Sequence, residues 1–277
     1  MWRTRQSDER PIGLLAGMGA LPLLFAQAAF SEKKKLIVFG VEGLTDKRIE
    51  EFSEKTHYLP LGKIGLLVEL LKQERIRSVV FAGGLPKKKI MYESGFQMDD
   101  TAAGLLQGAR NKGDDHLLRA FEVFLKLKCG VSVIDSRAFL KKSLAPRGVL
   151  TRRKPTESEW QDLKFGRRVA KNIGKMDIGQ TVVVKQGVVV AVEALEGTDA
   201  AIRRAGTITE EGAVVVKVAK PNQALRFDLP CVGMDTINSM KAVSARVLGI
   251  ETGKTIMIFK DQLIAAADRE GISLVGF

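Results

Sequence analysis

The feature that most restricts the fold is an alternation. In the first half of the chain, short apolar runs recur at residues 12–16, 36–39, 78–82 and 131–134. Each is continuous rather than alternating, the kind that fills buried parallel strands. Stretches with helical spacing lie between them, at 21–30, 65–74, 101–110 and 115–127. Repeated strand–helix alternation implies a doubly wound α/β sheet. The pattern then lapses at 136–156, a basic, proline-containing stretch reading SRAFLKKSLAPRGVLTRRKPT.

A second α/β unit follows. A helix is expected over 157–173, β-branched strands at 181–185 and 188–194, a helix at 199–204 and a strand at 213–218. After a polar loop come a helix at 236–248, a strand at 255–259, a helix at 261–269 and a strand at 272–275. The organisation expected is therefore a domain of residues 1–136, a basic linker of 137–156 and a domain of 157–277. A ligand cleft would lie between the two domains.

Composition narrows the chemistry. The chain has 277 residues, enough for one large or two ordinary domains, and 45% are hydrophobic, enough for a real core. A net charge of +12 and a pI near 9.7 point to an anionic partner. Aromatics make up only 6% and no groove-reading motif is present, which argues against a nucleic-acid binder. Two cysteines, Cys129 and Cys231, suit a reducing cytoplasm rather than a disulfide framework. With only His57 and His116 besides, any metal should be hard and carboxylate-bound. Residues 11–31 carry no charge, but Gly13, Gly17, Gly19 and Pro22 break them into strand, turn and helix, so neither a signal peptide nor a membrane span is expected.

Four segments are candidates for chemistry. The turn GLLAGMGALP places Gly17 and Gly19 between the first strand and first helix, where backbone amides can face a phosphate; tight strand–helix packing is the other use of such glycines. KGDDHLLR brings Lys112, Asp114 and Asp115 to a helix start, as caps or facing a ligand. EALEGTDAAIRRAG sets Glu196, Thr198 and Asp199 at a strand end with Arg203 and Arg204 one turn on, which suits Mg²⁺ and phosphate or, equally, a capped and solvated helix. The stretch 217–237 gathers Lys220, Arg226 and Asp228 in a loop stiffened by Pro221 and Pro230. ETGKT at 251–255 lacks the P-loop glycine, because position 248 is Leu248.

Taken in order, GLLAGMGALP, KGDD–LLR, MDIGQ, EALEGTDAAIRR and KP–Q–R–D–P–VG–T resemble the UDP-2,3-diacylglucosamine pyrophosphatases of the LpxI type, over nearly the whole chain. The resemblance implies an N-terminal Rossmann-like domain, a C-terminal α/β catalytic domain and a liponucleotide bound between them. It implies metal-dependent hydrolysis of UDP-2,3-diacylglucosamine to lipid X and UMP in the lipid A biosynthesis of Gram-negative cells, with Mg²⁺ or another hard divalent ion. It also implies work at the cytoplasmic face of the inner membrane, in peripheral contact with anionic lipid. Asp228 is then the expected catalytic carboxylate, with Asp228, Asp199 and Glu196 as candidate metal ligands. Gly17, Gly19, Lys112, Asp114, Asp115, Thr198, Arg203, Arg204, Lys220, Gln223, Arg226 and Thr236 are expected to contact substrate. Two departures stand out: Ala224 where the family has an acid, and Gly84-Leu85-Pro86-Lys87 in place of a polar and Arg-Pro turn. The competing reading is a nucleotide- or NAD-binding module without hydrolytic chemistry, centred on Gly17 and Gly19.

Overall fold

The computed structural model describes residues 10–86, 90, 92–93, 96–109, 113–221 and 223–277. It forms two units. One comprises the chain to Leu140 together with Arg226–Asp228; the other comprises Lys141–Leu225 and Leu229–Phe277.

The first unit runs β1 (Ile12–Ala16), α1 (Leu21–Ser31), β2 (Leu36–Val41), β3 (Lys55–Leu59), α2 (Ile64–Gln73), β4 (Ser78–Ala82), α3 (Asp100–Ala109), α4 (Gly113–Cys129) and β5 (Ser132–Val133). Its five strands are ordered β3-β2-β1-β4-β5 and every pairing is parallel. This is the doubly wound arrangement the alternation requires. The strand the sequence pattern does not reveal is β3. KTHYL lies at the sheet edge and is mostly half-buried, so it lacks the continuous apolar run of an interior strand. Strand order reverses between β1 and β4, and in open α/β sheets ligands bind beyond the carboxyl ends at such a reversal.

The second unit contains β6 (Gly148–Val149), α5 (Glu157–Lys175), β7 (Thr181–Lys185), β8 (Val188–Val192), α6 (Thr198–Gly206), β9 (Val214–Lys217), β10 (Cys231–Val232), α7 (Met234–Ala242), β11 (Val247–Ile250), β12 (Ile256–Met257), α8 (Lys260–Arg269) and β13 (Ser273–Gly276). Six strands form a mixed sheet ordered β6-β13-β11-β9-β7-β8, parallel across β13, β11 and β9 and antiparallel beyond them. β10 and β12 make a separate parallel pair. Alternate residues sort to opposite faces, as a pleat demands. Val215, Leu248 and Leu274 pack with Ile202 of α6, Ile237 and Met240 of α7 and Leu263 of α8, while Val214, Val216 and Val247 pack with Leu163, Ala170 and Ile173 of α5. α5 begins at a capping box, in which Glu159 N–H donates to the Thr156 hydroxyl and Thr156 N–H donates to Glu159.

Two expectations need revision. The helix expected across 236–248 ends at Ala242; Ser244 turns the chain at a left-handed φ of 51°, and 247–250 enters the sheet as β11. VLGI is wholly buried between β9 and β13, and a short apolar run alone does not distinguish helix from strand. The stretch 137–156, set apart by its basic composition, divides between the units: 137–140 belong to the first, and 141–156 supply β6 to the second. Its Arg153 is a structural residue, donating to Glu159 at 2.7 Å and to Ser273 at 2.8 Å.

Candidate active-site residues

In the first unit, the glycine turn after β1 meets the glycine turn after β4. Gly17 N–H donates to Ala82 O at 2.9 Å, and Met18 and Gly84 exchange backbone hydrogen bonds of 2.8 and 3.1 Å. A Cβ at Gly17 would stand 2.3 Å from Gly84 O, and one at Gly83 would stand 2.6 Å from Met18 O. Glycine is therefore required at Gly17 for close approach of two backbones. With the amides of Gly17 and Met18 engaged in this way, neither faces a phosphate. Gly19 differs: its φ is +89° and a Cβ there would meet nothing within 4 Å.

Arg226–Asp228 is the other notable part of this unit. Phe227, only 6% exposed, stacks on Phe81 of β4 with ring centroids 5.8 Å apart. Arg226 donates to Glu122 of α4 at 2.6 Å and lies over the Phe227 ring at 4.5 Å. Arg226 is thus held by an acid that the sequence gives no reason to single out. Asp228 follows directly on this anchor and is half-buried.

In the second unit, the carboxyl end of β9 carries a polar cluster. Thr198 begins α6; its hydroxyl donates to Glu193 at 2.9 Å and accepts from Lys217 Nζ at 2.9 Å. The Thr181 hydroxyl is 3.3 Å away. Asp199, the next residue of α6, has Thr236 of α7 against its carboxyl group. Burial raises the Asp199 pKa; the charge of Lys217 and then the Thr236 hydrogen bond oppose that shift, Asp235 adds to it, and Arg203 opposes it. Asp199 Oδ1 is buried and has no hydrogen-bond partner. Thr236, distant in sequence from Thr198 and Asp199, is therefore their neighbour. Lys217 and Glu193 belong with them and escape a motif-based reading, although a lysine closing the run AVVVK is a visible signal: a charge there must have a reason to be buried.

The loop that leaves β9 is held at its root. Ala219 N–H donates to Glu251 Oε2 at 2.9 Å, and Lys171 donates to Ala219 O at 2.8 Å and to Glu251 at 2.6 Å. Lys220 follows; it pairs with Asp177, and its N–H donates to Gln223 at 2.9 Å. Glu251, from the ETGKT segment, is thus a brace and not part of a phosphate loop.

The candidate metal ligands are not equivalent. Glu196 accepts from Arg204 at 2.7 Å and from Ala194 N–H at 3.1 Å. Burial would raise its pKa, but these bonds, led by Arg204, hold it below the ordinary glutamate value. Arg204 also donates to Val192 O, so the pair braces the entry to α6 and does not fit a metal. Asp199 retains an unpartnered oxygen that can serve. Among the described residues, no group of three or more His, Cys, Asp or Glu gathers as a metal cage. Lys112 and Lys87 lie outside the described residues; Asp114 and Asp115 fall in the first turn of α4.

One unit built on a five-stranded parallel sheet and another on a six-stranded mixed sheet, with buried charge at the carboxyl end of a central strand of the latter, define a two-unit α/β protein. The family model for the LpxI N-terminal domain matches residues 11–143, and that for the LpxI C-terminal domain matches residues 146–275. The chain belongs to the LpxI family. A Caulobacter vibrioides relative, UDP-2,3-diacylglucosamine pyrophosphatase LpxI, is 32% identical over 281 residues, covering 96% of this chain and 97% of its own. Among solved structures, the leucoanthocyanidin reductase–NADPH complex of Vitis vinifera is 11% identical, covers 96% of this chain and 77% of that one, and has a TM-score of 0.30. The biotin carboxylase domain of Hydrogenobacter thermophilus 2-oxoglutarate carboxylase is 10% identical, with coverage of 64% and 35% and a TM-score of 0.28. At these scores neither carries an argument about this chain.

Proposed function

We propose that this protein hydrolyses the pyrophosphate bond of UDP-2,3-diacylglucosamine, releasing 2,3-diacylglucosamine 1-phosphate and UMP, as a step of lipid A biosynthesis. The observation that carries the reading is the match to the Caulobacter vibrioides pyrophosphatase along 96% of the chain. Water attacks one phosphorus; a new P–O bond forms, the bond to the bridging oxygen breaks, and the departing phosphate leaves with that oxygen. The diphosphate is doubly anionic, so the protein must neutralise charge and orient a water. Asp228 is assigned the water-orienting or metal-binding carboxylate, with Lys220, Arg203, Thr198, Gln223 and Thr236 contacting substrate. A divalent ion of the Mg²⁺ class would neutralise phosphoryl oxygens, held by Asp228 or Asp199 in the few-carboxylate manner usual for that ion.

The basic surface, including exposed Lys33, Lys34, Lys35, Lys141 and Lys142, would hold the enzyme against anionic lipid at the cytoplasmic face of the inner membrane. No helix among the described residues is long and apolar enough to cross a membrane. The test is incubation with UDP-2,3-diacylglucosamine and Mg²⁺, with and without EDTA, followed by mass analysis of products. Release of UMP and lipid X only with the metal is expected; intact substrate in both arms overturns the activity, and full turnover in EDTA removes the metal. Heavy-oxygen water assigns the phosphorus attacked.

The two arginines of α6 should separate. Arg204 is tied to Glu196 and Val192 O, whereas Arg203 is exposed and acts on Asp199 through its charge. Arg203→Ala is expected to lower kcat/KM about tenfold or more, the effect of about 1.5–3 kcal/mol for a charged hydrogen bond. Arg204→Ala should change kcat/KM less than threefold, since its partner is a brace and exposed pairs contribute on the order of 1 kcal/mol or less. Steady-state kinetics showing the opposite order would reassign the phosphate contact to Arg204.

A further inference from the structure

Lys217 closes β9, a central strand with a neighbour on each side, and only 7% of its surface is exposed. An ammonium has three N–H donors. Among the described residues this one makes a single hydrogen bond, 2.9 Å to Thr198 Oγ1. The Thr198 hydroxyl has one proton, and Glu193 Oε1 accepts it at 2.9 Å, so a lone pair must face the lysine. Glu193, which also accepts from Gln180 N–H, therefore balances the lysine's charge at one remove without touching it. Two donors of a buried ammonium are left over, which is costly in the absence of a partner.

The ammonium sits where two helices begin. α6 starts after Gly197 and α7 after Gly233, and neither has a side-chain cap. The starts adjoin each other, because Thr236 in the first turn of α7 lies against Asp199 in the first turn of α6. Helix starts present free backbone N–H groups and partial positive charge. Adding a buried cation there is unfavourable unless the working protein also holds an anion. Asp199 acts on Lys217 only through its field, and its buried Oδ1 has no hydrogen-bond partner of its own.

We propose that the carboxyl end of β9 and the starts of α6 and α7 form a phosphoryl-binding site in which Lys217 is a substrate-binding residue. Its ammonium receives a non-bridging oxygen of the diphosphate. The inference rests on the pyrophosphatase reading and adds the location of one phosphoryl group. A phosphoryl group matches the site because it offers several acceptors to an ammonium and to backbone N–H donors together. The location agrees with the general placement of ligands beyond the carboxyl ends of parallel strands.

The test is equilibrium binding of UMP, inorganic phosphate and uridine to the full chain. Lys217→Met is expected to weaken UMP and phosphate roughly ten- to a hundredfold, the scale of a charged hydrogen bond, and to leave uridine unchanged. Lys217→Arg should restore most of the loss. Equal UMP affinity in wild type and Lys217→Met overturns the site, as does an equal loss for uridine. Should Lys217→Met not fold, the side-chain ¹⁵N resonance of Lys217 in the wild type decides: it must shift on adding UMP or phosphate, and a fixed resonance overturns the site. Hydrolysis measured on the same samples separates the two ideas. Wild type that binds UMP through Lys217 yet leaves UDP-2,3-diacylglucosamine intact sinks the activity alone. Lys217→Met that turns over at the wild-type kcat/KM sinks this inference alone.

Discussion

Asp228→Ala is expected to lower kcat by roughly two decades or more while moving the melting temperature little, the pattern of a group that acts in the transition state. Asp228 follows two anchored residues: Phe227 is buried on Phe81, and Arg226 is paired with Glu122. Pro221 and a buried Pro230 restrain the same loop. A carboxylate held so firmly loses little further freedom when it positions a water or an ion, which is what proximity catalysis requires. The fold does not depend on it to the same degree, because the stacking of Phe227 survives the substitution. Asp228→Asn keeps shape and removes charge, so it should lose nearly as much. Near-normal kcat in a folded Asp228→Ala protein would sink the assignment and move attention to Asp199. A large fall in melting temperature together with kcat would make Asp228 structural.

Much of the fold was legible because buried strands leave continuous apolar runs. β1, β2, β4, β7, β9 and β13 all fall where such runs lie. β3 left none, being a half-buried edge, and β11 was hidden inside a longer apolar stretch that also suited a helix. Site residues were legible where motif and geometry coincide: Thr198 and Asp199 share one short segment, and Thr236 joins them only through the fold. Lys217 and Glu193 belong to no motif, and the lysine closing AVVVK becomes a signal only once the strand end is known to be buried. Nor was the engagement of Arg226 by Glu122 or of Arg204 by Glu196 legible; both arginines look available in sequence, and only packing reveals that each already has an acid.

Glu251→Ala is expected to lower both stability and turnover, through the root of the loop that carries Lys220 and Gln223. Glu251 is 6% exposed and gathers three donors: Lys171 at 2.6 Å, Lys254 at 2.9 Å and the Ala219 N–H at 2.9 Å. Removing it leaves the Ala219 N–H without its acceptor and the Lys171 ammonium with the Ala219 carbonyl but no counter-charge, and breaking a buried pair from one side costs about 3–5 kcal/mol. Lys254 is half-exposed and regains water, so the lower end of that range applies. A loss of ~3 kcal/mol corresponds to a fall of roughly 10 °C in melting temperature. Turnover at a temperature where the variant is fully folded should still fall, because Lys220 is the residue after Ala219 and loses its fixed backbone. Glu251→Gln, which keeps an oxygen for Ala219, should retain the greater part of kcat. The pH dependence has a definite sign. Burial alone would raise the Glu251 pKa, but the hydrogen bonds from Lys171, Lys254 and Ala219 outweigh it and hold the group below its ordinary value. Its contribution is thus complete above the ordinary glutamate range and is lost as pH falls through the lowered pKa. Acid unfolding should therefore be less steep in Glu251→Gln than in the wild type, and superimposable acid-unfolding curves would show that this carboxylate is not a brace.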